Sequence, residues 1–82
     1  MFVKVITPDK EIFQGEVSQA KFPGASGSFE VLNNHAALIS ILSKGEMSLN
    51  TAEQGMKLFT IDGGVVEVLN NNVTVLIESI VE

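Results

Sequence analysis

Glu46-Met47-Ser48-Leu49-Asn50 and Val73-Thr74-Val75-Leu76-Ile77 decide the fold class of this chain. In both, apolar and polar residues alternate with period two, as expected of a strand with one face on a core. The first places Met47 and Leu49 inward, with Glu46, Ser48 and Asn50 outward. The second places Val73, Val75 and Ile77 inward, and Leu76 on the opposite face means that face is partly covered too. Val66 and Val68 flank Glu67 in the same manner, and the β-branched content suits a pleated surface.

Working outward, turn signals follow one another at Thr7-Pro8-Asp9-Lys10, Pro23-Gly24-Ala25-Ser26-Gly27, Asn33-Asn34-His35, Ser43-Lys44-Gly45, Glu53-Gln54-Gly55, Asp62-Gly63-Gly64 and Asn70-Asn71-Asn72. That rhythm predicts an all-β chain: a small antiparallel β-sandwich or flattened barrel of roughly eight to ten short strands. Asp62-Gly63-Gly64 reads as a hairpin turn, with glycine supplying the positive φ. Gly15 interrupts a strand-like run and predicts a kink between Glu11 and Phe22. Ala36 to Leu42 reads as a short helical turn or a strand at a sandwich corner, being too short for a helix that stands alone. No linker or repeat divides the chain, so residues 1–82 are expected to form one domain.

Size and charge bound the partners. A chain of 8.8 kDa exposes about 12,800 Å² unfolded and about 4,800 Å² folded. So small an interior sits oddly with 45% hydrophobic residues, and the surplus suggests that some of it covers a partner. Ten carboxylates against five lysines, with no arginine, give a net charge of −5. That leaves no basic stripe for nucleic acid. The absence of cysteine removes thiolate metal sites, disulfides and cysteine nucleophiles. The longest stretch free of formal charge, Val31 to Ser43, is 13 residues, whereas a membrane-spanning helix needs about 20 apolar ones. Membrane association is therefore expected only through partner proteins.

No catalytic or metal-binding constellation is visible. His35 is the only histidine, and without a positioned nucleophile and an orienting carboxylate it reads as a turn residue. Pro23-Gly24-Ala25-Ser26-Gly27-Ser28 lacks the Lys-Ser/Thr pair and following helix of a phosphate loop. Met56-Lys57-Leu58 has some likeness to the modified lysine of biotin- and lipoyl-carrier domains. Gly55 and Leu58 break that pattern, however, and alternation places Lys57 as an ordinary exposed strand residue opposite Met56 and Leu58. Cofactors are expected to be none.

Several segments, taken in order, resemble the N-terminal β-sandwich of the epsilon subunit of the rotary F-type ATP synthase. They are Thr7-Pro8-Asp9; Phe13-Gln14-Gly15-Glu16-Val17; Pro23-Gly24 through Gly27-Ser28-Phe29-Glu30-Val31-Leu32; His35-Ala36-Ala37-Leu38; Lys44-Gly45; Asp62-Gly63-Gly64-Val65-Val66-Glu67-Val68; and Asn72-Val73-Thr74-Val75-Leu76. The resemblance spans nearly the whole chain. Asn33-Asn34 stands where the family often has Pro-Gly, and both pairs make turns.

The resemblance implies a non-catalytic central-stalk subunit that couples the gamma shaft to the membrane ring of c subunits during proton-driven ATP synthesis. It would sit peripherally at the cytoplasmic face of the bacterial inner membrane. The loop Gly24, Ala25, Ser26, Gly27, Ser28, Phe29 and Glu30 would face the ring, and His35 would lie near gamma. Glu30, on the strand face of Ser28, is the carboxylate expected to meet basic ring loops. The sequence stops at Glu82, before the C-terminal helical pair of many members. The ATP-sensing inhibition associated with those helices is therefore not expected; the sequence does not decide between helices natively absent and helices trimmed away, although Met1 favours the former.

Overall fold

The computed structural model describes residues 1–81, which contain seven strands and no helix: β1 (Phe2–Ile6), β2 (Glu11–Phe22), β3 (Phe29–Leu32), β4 (Leu38–Thr51), β5 (Gly55–Leu69), β6 (Asn72–Ile77) and β7 (Ile80–Val81). The all-β architecture follows the alternation in the sequence. Met47, Leu49, Val66, Val68, Val73 and Val75 are all buried, as their spacing requires. Ala36 to Leu42 takes the strand alternative, with β4 beginning at Leu38.

The strands are fewer and longer than expected, because two turn signals lie inside β4 and β5. Pairing of these two strands runs from Leu38↔Val68 to Thr51↔Gly55 without a slip in register. Ser43-Lys44-Gly45 and Asp62-Gly63-Gly64 face each other midway along it. Asp62-Gly63-Gly64 is therefore no hairpin turn. At that point the inward-facing set changes parity on both strands together, from Leu42 to Met47 on one and from Ile61 to Val66 on the other. Gly63 and Gly64, with φ of 105° and 155°, supply a backbone that a side chain would strain. Each long strand thereby serves two layers. The first half of β4 and the second half of β5 lie with β6 and β1, and their other halves lie with β2, β3 and β7.

β2 breaks register within Glu11–Phe22 at two places, Ile12 opposite β1 and Ser18 opposite β4, and neither is Gly15. Gly15 stays in register opposite Val3, while pairing with β4 slips between Val17 and Gln19. β2 changes partners there, from β1 to β4, which places this second irregularity at the handover. The sheet is also not wholly antiparallel. β1 pairs with β6 in parallel and with β2 in antiparallel fashion, closing the ring β1-β6-β5-β4-β2. Parallel pairing is possible because these two strands lie at opposite ends of the chain, a long-range choice that local pattern does not encode.

The core between the layers holds Val3, Val5, Val17, Ala20, Phe22, Val31, Met47, Leu49, Ile61, Val66, Val73 and Val75, each no more than 1% exposed. The two-residue hairpin loop Asn70-Asn71 has positive φ at both positions, as tight turns of the primed type demand. The accessible surface is 4763 Å², the value expected for a compact chain of this mass.

Candidate functional site

With so small an interior filled, the remaining apolar side chains must lie outside. Their placement is ordered. Ile41 on β4 stands opposite Val65 on β5, Val65 opposite Leu76 on β6, and Leu76 opposite Ile6 on β1. One solvent-facing row thus crosses four strands. Ile41 is 67% exposed and Leu76 49%, and Ile39, one step along β4 on the same face, is 73% exposed. A groove with a volume of about 320 Å³ borders the row beside Ala37, Ile39, Glu67 and Leu69, and a second of 310 Å³ runs between Ile6, Pro8, Val65 and Leu76. This row gives part of the apolar surplus of the composition a location, while Leu32, Met56 and Leu58 are exposed elsewhere. Only Leu76 had been placed on an outer face by alternation. Ile39 and Ile41 are invisible as a surface until the pairing of β4 with β5 is known.

The loop before β3 lies at one end of this face. Ala25 N–H donates to the Ile41 carbonyl (2.9 Å), Ser43 N–H to the Pro23 carbonyl (2.8 Å), and Gly24 bridges to Leu42. Gly24 is buried. A β-carbon there would meet the Gly27 carbonyl oxygen at 2.5 Å and the Phe29 ring at 2.9 Å, so only glycine fits. Phe29 is half-buried and packs its ring against Phe22, centroids 5.5 Å apart. Ala25, Ser26, Gly27 and Ser28 are exposed. Glu30 is exposed on β3, directly opposite Lys21, and its carboxylate accepts a hydrogen bond from the Gln19 amide.

His35 lies elsewhere. The strand β3 and the Asn33-Asn34 turn lie between it and the exposed stretch Ala25–Ser28. Its N–H donates to the Leu32 carbonyl (3.1 Å), and Nδ1 lies 2.7 Å from the Ala36 carbonyl oxygen. Nearby, the Asn34 N–H donates to Asn71 Oδ1 (2.8 Å), and the Met1 ammonium donates to Asn33 Oδ1 and to the Val17 carbonyl (3.2 Å). The histidine is thus a turn residue, as its isolation in the sequence suggested. The loop is bonded to β4 at Ile41 and His35 to the end of β3 at Leu32, and no hydrogen bond joins the two among the described residues.

Lys57 departs from its expected position. Met56 and Leu58 are the exposed residues, at 56% and 59%, and Lys57 turns toward the core rim, half-buried. Its ammonium lies 5.8 Å from the Phe13 ring centroid and 6.0 Å from that of Phe59, and donates to Gln54 Oε1 (2.9 Å). Cation–π contact and a packed stem account for that orientation. The β4–β5 hairpin tip is Ala52–Gln54, so Lys57 is not at the tip either. A lysine so held is not presented for modification, and the carrier reading has no support. Among the described residues no cluster of metal-ligating side chains occurs.

A family model described as the beta-sandwich domain of the ATP synthase delta/epsilon chain matches residues 1–82. This chain belongs to that family. Among curated relatives, the ATP synthase epsilon chain of Leptospira interrogans is 36% identical over 90% of this chain and 58% of its own length. The epsilon chain of Caulobacter vibrioides is 37% identical over 95% of this chain and 90% of its own. The chain thus spans a little over half the length of some epsilon chains and nearly all of others. The same fold occurs in a chain of the Tetrahymena thermophila mitochondrial ATP synthase central stalk and c ring, with TM-score 0.83, 22% identity, and coverage of 99% of this chain and 65% of that one. It occurs again in the Euglena gracilis mitochondrial ATP synthase, with TM-score 0.88, 20% identity, and coverage of 96% and 51%.

Proposed function

We propose that residues 1–82 act as one non-catalytic epsilon-type unit of the F-type ATP synthase rotor, joining the gamma shaft to the c ring so that proton-driven rotation reaches the catalytic head. The exposed row Ile41–Val65–Leu76–Ile6, extended by Ile39, carries this reading. A soluble monomer rarely leaves such a row open, and its natural use is adhesion to a partner. The gamma subunit is the occupant we assign, with His35 at the far margin of the same face. The exposed loop Gly24–Ser28 and Glu30 are assigned to the polar loops of the c ring.

A coupling element must hold two neighbours on separate surfaces and deform little between them. The fold suits both needs. The Gly24–Ser28 loop projects from one end of the face that carries the row, giving the two contacts different residues, and the core is closed by strands and packed like other protein interiors. A specific contact takes about 800 Å² from each partner, a sizeable share of so small a surface. In this role the chain sits peripherally on the cytoplasmic face of the bacterial inner membrane, held there by its neighbours and not by lipid.

The test is titration of the chain with purified gamma subunit. Stable binding is expected, and Ile41→Asp should abolish it at the cost of only about 1 kcal/mol of stability, because Ile41 already stands in water and only strand propensity is lost. Failure of the unaltered chain to bind gamma, or full binding by Ile41→Asp, would overturn the assignment.

A further inference from the structure

Glu67 is the charged residue that stands among the apolar side chains of β4 and β5 on this face; Lys4 on β1 and Glu78 after β6 lie toward its other edge. On β5 the same-face neighbours of Glu67 are Val65 and Leu69. Across the strands it stands opposite Ile39 on β4 and Thr74 on β6. It lines the 320 Å³ groove otherwise formed by Ala37, Leu38, Ile39, Val68 and Leu69. The side chain is exposed, and among the described residues it makes no hydrogen bond or ion pair. Lys4 lies on the same line but two strands away, beyond Thr74, at about 10 Å in strand spacing.

A lone carboxylate in such surroundings is harmless while water reaches it. It becomes costly once a partner covers Ile39, Val65 and Leu69, because the charge then loses its hydration. No cation on its own face is paired with it. Lys4, the cation on the same face, is held apart from it by Thr74, so the compensating charge we assign is one that arrives with the partner. The groove beside Glu67 has an aliphatic lining and room equal to about ten waters, which suits a long apolar stem ending in a positive head.

We propose that Glu67 is the specificity-determining residue of this face, and that the docking partner seats an arginine or lysine in the groove beside it. The aliphatic stem lies against Ala37, Ile39 and Leu69, and the cationic head meets the Glu67 carboxylate. A partner presenting an uncharged or acidic residue at that position is rejected by the unpaired buried charge. This inference rests on the rotor reading, which supplies the gamma subunit as the partner.

The experiment is calorimetric titration of the whole chain with purified gamma subunit, using the unaltered chain, Glu67→Gln and Glu67→Leu at low and high salt. Glu67→Gln is expected to weaken binding at least tenfold and to flatten its salt dependence. Glu67→Leu should weaken binding further, since the partner's cation is then left facing hydrocarbon. Thermal unfolding should be unchanged in both. Binding within twofold of the unaltered chain for Glu67→Gln, or tighter binding for Glu67→Leu, overturns the inference while leaving gamma as the partner. Failure of the unaltered chain to bind overturns both.

Discussion

Gly64 faces the main chain of β6 so closely that a β-carbon on it would lie 2.2 Å from the carbonyl oxygen of Leu76. The contact occurs where β4 and β5 pass from one layer of the sandwich to the other, at the last pair of the β5–β6 ladder, Gly64↔Ile77. Gly64→Ala must therefore push two backbones apart and strain its own φ. A loss of about 3 kcal/mol or more is expected from comparable strain and overpacking, read as a fall in the urea midpoint. An unaltered midpoint would mean that β6 can shift freely at this point.

Leu49 tests the core directly. It is fully buried among residues of both layers, and Leu49→Ala leaves a cavity that rigid strands on either side cannot close. Destabilisation of about 2–5 kcal/mol is expected. A chain of this size has little stability to spare, so a partly unfolded population should be visible by circular dichroism at room temperature.

Lys57 provides a contrast between structure and modification. Lys57→Met keeps the apolar stem and removes the charge that lies near Phe13 and Phe59. It should cost only about 0.5–1 kcal/mol, the range of exposed cation–π contacts, and leave gamma binding unchanged. Incubation of the unaltered chain with biotin or lipoyl ligase should add no mass to it.

Glu30 tests the ring-facing assignment. Its carboxylate is exposed and held by the Gln19 amide, so Glu30→Gln should leave stability unchanged. Binding to detergent-solubilised c ring should fall a few-fold at low ionic strength and converge with the unaltered chain near physiological salt, as for other exposed ion pairs. Equal affinities at every ionic strength would remove Glu30 from the contact.

Much of this architecture was legible in the sequence, for local reasons. The alternation at Glu46–Asn50 and Val73–Ile77 fixed strand and core because a half-buried strand imposes a period of two. What misled was also local. Asp62-Gly63-Gly64 carries the chemistry of a hairpin turn, and the same glycines serve equally well where two paired strands bend together. Only the partner strand distinguishes the two cases. Lys57 shows a related ambiguity, since alternation sets it opposite Met56 and Leu58 without saying which side meets the core. The outer row depends on register across β4, β5, β6 and β1, and one of those pairings joins the two ends of the chain. No window of sequence contains it.

The clasping of β1 between β2 and β6 bears on how such a body carries a twisting load. A terminal strand hanging on one neighbour can be peeled away, its hydrogen bonds failing one after another at low force. β1 is gripped on both flanks, so its removal requires two ladders to rupture in shear together. β1 thus locks the ring of strands, and in the proposed role the unit should behave as a stiff washer rather than a spring.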